Sequence, residues 1–200
     1  MTDSAAIAKA LILRRGAVRS RELVEAGVAR AQISRLVAAG ELVRLSRGIY
    51  SVPGLVEAEG DAGLSIVAER LPGVRLCLLT ALRLHGLTTQ APFEVWIAIG
   101  NKDRAPRLDW PSLRTVRFSG EAFDAGLESR QIGHRQVCLT NVAKTVADCF
   151  KFRNLVGLDV AIEALRDALR ARATTMDELW KYARICRVGK FMRPYMEALA

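Results

Sequence analysis

Four side chains in one nine-residue stretch, Arg30, Gln32, Ser34 and Arg35 of "RAQISRLVA", are of the types that recognise duplex DNA. Arginine reaches guanine edges, glutamine reaches adenine, and serine or arginine holds phosphate oxygens. A second set follows directly in "ELVRLSRGIYSVPG", where Arg44, Ser46 and Arg47 interrupt a run of apolar residues around Gly48. A third, Arg19, Ser20 and Arg21, stands at the start of a short predicted helix, and helix N-termini attract anions. The chemistry these residues imply is contact with a polyanion rather than bond-making.

The charge distribution agrees. The 200 residues carry a net charge of +9, and the excess is uneven. Residues 1–54 hold nine basic and four acidic side chains, a net of +5; residues 55–150 are neutral; residues 151–200 return to +4. A basic excess concentrated in a short segment favours nucleic acid, because each neutralised phosphate releases counterions. With 50% hydrophobic and 26% charged residues the composition is that of a globular chain with a real core. No apolar run approaches the ~18 residues of a membrane span. The start, "MTDSAAIAKALILRRG", puts its basic pair after the apolar stretch, the reverse of a secretory signal. The expectation is a soluble, cytoplasmic protein.

The elements that must position these residues are legible as periodicity. Residues 4–15 predict a first helix with Ile7, Ala10 and Leu11 in its pattern, stopped by Gly16. "SRELVEAG" predicts a second, short one, capped by Ser20, with Leu23 and Val24 inward and Gly27 at its end. "ARAQISRLVAAG" predicts a third, whose Ile33, Leu36 and Val37 share one face and leave Arg30, Gln32, Ser34 and Arg35 on the other. Two short strands, "ELVRLS" and "GIYSVP", then close a hairpin around Arg47-Gly48. Three helices followed at once by a hairpin form the winged variety of the helix-turn-helix, which gives Arg44 and Arg47 a reason to be there. Tyr50 is expected to pack against the helices.

Pro53-Gly54 and the acidic "EAEGD" mark a boundary, so that residues 1–54 form a DNA-binding domain and residues 55–200 a second one. The second reads as mixed α/β. Helices are expected at "GLSIVAERLP", with Asp61 a candidate for its start, and at "LCLLTALRLHGL". Strands are expected at 93–100, at 113–119 beside it, and at "ESRQIG" and "RQVCLTN" around Gly133-His134. Thr140 or Asn141 caps "VAKTVADCFKF", and a helical tail fills about 155–200, with Leu158, Ile162, Leu165 and Leu169 on one stripe and Pro194 inside its last helix. The fold class is thus α+β: a winged helix-turn-helix, then a small mixed sheet with a helical tail.

Catalytic patterns are missing. No lysine has an acidic residue two positions before it, as a metal-dependent nuclease needs, and no Gly-Ser turn precedes a D-x-D. Phosphate-loop, nucleophile-elbow and HExxH motifs are absent, as is zinc-ligand spacing among Cys77, Cys138, Cys149, Cys186, His85 and His134. The cysteines read as reduced, mostly buried thiols, and His85 as a helix C-terminal residue before Gly86, held by the helix dipole. Asp148, on an otherwise apolar helix, pairs with Lys144 one turn back. Trp96 and Trp180 read as core. Neither enzyme activity, cofactor nor metal is expected.

Three stretches carry a family resemblance: "GELVRLSRGIYSVPG"; "LLTALRLHGLTTQAP" followed by "EVWIAI"; and "LTNVAKTVADCFKFRNLVGLDVAIEAL", in which Thr145 and Asp148 match the motif. Together, in this order and over nearly the whole chain, they resemble the AbiEi antitoxins, the transcriptional-repressor partners of type IV toxin–antitoxin (abortive infection) systems. The resemblance implies a winged helix-turn-helix that binds inverted repeats of double-stranded DNA in its own promoter. It also implies a C-terminal domain that opposes a nucleotidyltransferase-type toxin, generally without a stable complex. The alternative is an interaction protein that neutralises a toxin by direct binding through that domain, with DNA binding secondary.

Overall fold

The computed structural model describes residues 2–54, 62–88, 94–108, 110–133 and 135–199. The acidic stretch 57–61 with its Asp61 helix start, Phe93 and His134 lie outside the described residues, as does the side chain of Ser46. The chain divides into two compact units, Met1–Pro72 with Asp109–Pro111, and Gly73–Leu108 with Ser112–Ala200.

In the first unit, α1 (Thr2–Arg15), α2 (Ser20–Glu25) and α3 (Arg30–Ala38) are joined by short turns, and α4 (Ala62–Arg70) follows the hairpin. Strands β1 (Val18–Arg19), β2 (Val43–Ser46) and β3 (Ile49–Ser51) form an antiparallel sheet in the order β1-β3-β2. Ala8, Ile12, Val18, Leu23, Val28, Ile33, Leu36 and Leu42 make one core cluster, against which Tyr50 packs. One inward assignment differs: Val24 is 41% exposed. Ala8 and Ile12 form the buried row of α1, and α2 is too short for a second inward row beyond Leu23. The α2–α3 turn is set by Gly27 at φ +93°, with Gly27 N–H on Val24 O (3.0 Å) and Val28 N–H on Leu23 O (2.9 Å). These two bonds close a Schellman motif, which satisfies the last carbonyls of α2 and redirects the chain into α3.

The second unit holds a five-stranded sheet of order β6-β5-β4-β8-β7, from β4 (Arg75–Leu76), β5 (Glu94–Gly100), β6 (Ser112–Phe118), β7 (Leu127–Ile132) and β8 (Arg135–Thr140). β5 and β6 run parallel in register Glu94↔Ser112 to Gly100↔Phe118, β4 pairs antiparallel with β5 and parallel with β8, and β7–β8 is a hairpin. Periodicity places a helix from Leu76; in the structure Arg75–Leu76 is the central strand, and helix α5 (Leu78–Leu84) begins only after it. A two-residue strand has no period of its own, so only its neighbours on both sides define it. The short α6 (Glu121–Asp124) precedes β7. Then come α7 (Val142–Lys151), α8 (Arg153–Val156), α9 (Leu158–Arg170), α10 (Met176–Ile185) and α11 (Gly189–Glu197), which runs through Pro194. Asn141 caps α7 by accepting the Lys144 N–H at 2.9 Å, and Thr175 caps α10 in a reciprocal box with Glu178.

Candidate nucleic-acid interface

Helix α3 turns about 100° per residue, which puts Arg30, Ala31, Ser34, Arg35 and Ala38 within an arc of about 140°. All five are exposed, while Ile33 and Leu36 are buried opposite. The arc offers two guanidinium groups and a hydroxyl on a floor of alanine methyls, so a duplex approaches without a bulky obstruction. Ser34 Oγ lies 3.4 Å from the Arg30 carbonyl, a long contact within the helix. Gln32 lies roughly 60° beyond Arg35 on the wheel and is half-buried. Its Oε1 accepts the Ala29 N–H at 3.0 Å, a contact that closes the first turn of α3. A bidentate adenine contact needs that oxygen as well as the amide nitrogen.

The hairpin β2–β3 is the wing. Arg44 pairs in register with Tyr50, and Ser46 with Ile49, with the pairing shifted between Arg44 and Ser46, where Leu45 intervenes. Gly48 takes φ +75° at the tip beside exposed Arg47. The tip is tied to the start of α2: Arg19 pairs with Ile49 through β1, and the Ser20 N–H donates to the Gly48 carbonyl at 2.8 Å. Arg19, Ser20 and Arg21 therefore stand next to Arg47. The sequence gives no hint of this adjacency, because β1 is two residues long.

A second arrangement not foreseen is centred on Glu22, whose carboxylate takes the Arg19 N–H at 2.7 Å, Arg15 Nη1 at 2.9 Å and Arg70 Nη2 at 2.6 Å. The cap of α2 is Arg19, one residue before the Ser20 expected from the sequence, which makes Glu22 the third residue after the cap. Burial raises the Glu22 pKa, but the Arg19 N–H and the two guanidinium groups outweigh it and hold the carboxyl below its ordinary 4.5. A depressed carboxyl contributes stability that is full above pH 4.5 and lost as the pH falls through the folded-state value. Glu22→Gln should cost about 1.5–3 kcal/mol near neutrality, the range for hydrogen bonds to a charged group. The variant should also lose less on further acidification than the parent does. Denaturant titrations at pH 7 and pH 3.5 check this; parallel losses in both proteins would remove Glu22 from the account.

In the second unit Lys144, Thr145 and Asp148 are enclosed. Lys144 and Asp148 are both fully buried and form the expected i, i+4 pair, with Nζ at 2.6 and 2.5 Å from the two carboxylate oxygens. Cys186 Sγ lies 3.2 Å from Asp148 Oδ1, and Lys144 Nζ sits 4.9 Å from the centre of the Phe118 ring. Burial pushes the Asp148 carboxyl up, opposed by the Lys144 ammonium. Thr145 Oγ1 donates to the Thr140 carbonyl at 2.9 Å, and Asn141 Nδ2 to Tyr182 Oη at 3.0 Å. His85 ends α5 as expected, and its Nε2 also donates to the Thr140 carbonyl at 2.8 Å; burial lowers its pKa. Trp96 is buried, and Trp180 packs at the edge of the same core.

Cys77, Cys149 and Cys186 are buried and Cys138 is half-buried. Burial, reinforced by the Asp148 carboxylate, raises the thiol pKa of all three buried cysteines, that of Cys186 to about 12. Thiolate is the reactive form, so iodoacetamide at pH 8 should label Cys138 in the folded protein and the others only in denaturant. Equal labelling of all four, read by mass spectrometry, would contradict this packing. Among the described residues no group of His, Cys, Asp and Glu is arranged to hold a metal ion, and no helix is long and apolar enough to cross a membrane.

Three helices, a Schellman turn between the second and third, and a wing that follows the third define the first unit as a winged helix-turn-helix, a class that docks a helix in the DNA major groove. Residues 6–53 match the family model described as "Transcriptional regulator, AbiEi antitoxin", so this segment is similar to the winged helix-turn-helix of AbiEi regulators. A comparison with curated proteins finds no match. Among solved structures, the chain is similar to the RV2827C protein from Mycobacterium tuberculosis. The identity is 16%, with a TM-score of 0.51, over 91% of this chain and 71% of that one. At that identity the likeness is one of fold.

Proposed function

We propose that the protein is a sequence-specific transcriptional repressor that acts as the antitoxin of a toxin–antitoxin operon. It binds inverted repeats in its own promoter and counteracts a nucleotidyltransferase-type toxin. One observation carries the reading: a segment matched to AbiEi regulators exposes Arg30, Ser34 and Arg35 on the helix that this class inserts into the groove. In this reading residues 1–54 hold the DNA. Arg30 and Arg35 face base edges, Ser34 faces phosphate, and Gln32 contributes its amide nitrogen at the edge of the contact. Arg44, Ser46 and Arg47 of the wing, with Arg19, Ser20 and Arg21 beside it, follow the backbone. Residues 55–200 form the antitoxin-type domain, and the protein works in the cytoplasm without catalysis of its own.

The test is titration of the purified protein onto its own upstream DNA beside a scrambled fragment, at physiological salt. Tight binding to the native fragment alone supports the reading. Equal, weak binding to both, erased by salt, overturns it, since an electrostatic patch does not read sequence. Co-expression with the toxin tests the second role: growth should be restored without co-purification of the two proteins. A stable complex would put direct neutralisation in its place.

A further inference from the structure

In the second unit the chain leaves β5 through "NKDRAPR", residues 101–107, of which all but Pro106 are exposed. Lys102, Arg104 and Arg107 stand there against a single carboxylate, Asp103. That carboxylate is spent within the turn: Oδ2 accepts the Gly100 N–H at 2.9 Å, and the Asp103 N–H returns to the Gly100 carbonyl at 3.1 Å. The fit is close, since a Cβ on Gly100 would lie 2.7 Å from Asp103 Oδ2. Arg117 of neighbouring β6 holds the turn from one side. Its Nη1 donates to the carbonyls of Gly100, Asn101 and Asp103 at 3.1, 2.7 and 2.9 Å.

A planar trans peptide points its N–H opposite to its C=O. With the carbonyls of Asn101 and Asp103 turned onto Arg117, the N–H groups of Lys102 and Arg104 point away from it. Among the described residues neither N–H has a hydrogen-bond partner, and the side chains of Lys102, Arg104 and Arg107 have no ion pair. One guanidinium thus gathers the negative ends of these peptides and leaves two positive ends outward, flanked by three cations. Outward N–H groups on a turn bind anions.

We propose that this turn is a receptor for a backbone phosphate of nucleic acid, a contact additional to the winged helix-turn-helix. It rests on the DNA-binding reading above. A phosphodiester suits it better than an acidic protein surface, because protein interfaces need an apolar centre and the segment exposes only Ala105 as an apolar residue. Free phosphate shares the chemistry, and the experiment separates the two.

The test uses the full chain with Lys102→Ala/Arg104→Ala, which leaves Gly100, Asp103 and Arg117 in place. On native and scrambled DNA alike, affinity should fall and the slope of log K against log salt should decrease by about 1. In the unaltered protein, the amide resonances of Lys102 and Arg104 should shift on titration with DNA and stay still with inorganic phosphate at the same phosphate concentration. An unchanged slope with unmoved amides, in a protein that still binds its upstream DNA, overturns this proposal and leaves the repressor reading standing. Amides that respond to inorganic phosphate but not to DNA overturn it in favour of a free anion. Failure of the unaltered protein to bind either fragment overturns both.

Discussion

Replacing Asp148 by alanine should lower the unfolding free energy by about 3–5 kcal/mol, the usual cost of stranding one member of a buried ion pair. Lys144 would be left fully buried with an ammonium whose ion-pair partner, Asp148, is gone. Beside it stand the face of Phe118 and the apolar core cluster that α7 helps to build. Neither solvates a charge as a carboxylate does. Lys144→Ala should cost a similar amount by stranding Asp148, although Cys186 still reaches the carboxylate. The double replacement Lys144→Met/Asp148→Leu is the more telling variant. Burial already pushes the Asp148 carboxyl up despite its partner, so desolvation takes back much of what the contact contributes. The double variant should therefore lose far less than the two single losses added together. Denaturant unfolding of the unaltered protein, Lys144→Met, Asp148→Leu and the double variant gives the coupling directly. A single replacement costing less than about 1 kcal/mol, or losses that simply add, would show that the pair is not the closed unit the distances describe.

Arg35→Ala should weaken binding to the native upstream fragment by about 1–3 kcal/mol, or 5- to 150-fold, and relax the preference over scrambled DNA. Arg35 lies at one edge of the exposed arc of α3, and Arg30 at the other, with only small side chains between them. Truncation would remove the base contact proposed for Arg35 without disturbing the core face, where Ile33 and Leu36 are buried. Arg47→Ala at the wing tip should behave differently. It should weaken native and scrambled DNA alike and lower the salt slope by about 1, as loss of a phosphate contact does. If Arg35→Ala left the ratio of the two affinities unchanged, α3 would not be the reader. An unaltered salt slope for Arg47→Ala would take the wing tip off the backbone.

Much of this molecule follows from local pattern. The amphipathic spacing of Ile33, Leu36 and Val37, the hairpin around Gly48 and the Lys144–Asp148 pair are all features whose physics acts within a few residues. A 3.6-residue period sorts core from surface, and an i, i+4 offset brings a lysine to an aspartate whatever the rest of the chain does. The exposed arginines of α3 and the wing follow by the same logic, since the residues opposite them have to be inside.

The remainder depends on what packs where. Val24 fits an inward position by type, but α2 has room for only one buried row. Strands β1 and β4 are two residues each and exist because another strand supplies their hydrogen bonds, which no window along the sequence contains. The same holds for Glu22, which gathers Arg15 and Arg70 from opposite ends of the first unit. It holds too for the turn at residues 100–104, which looks like an ordinary charged loop until Arg117 is seen to face its carbonyls. Sequence alone determined the three helices of the first unit, the wing and the outward face of α3, because hydrophobic burial is decided by period. Tertiary structure decided which of those charges are spent on the protein itself and which are left for a partner, because an ion pair or hydrogen bond depends on distance in space.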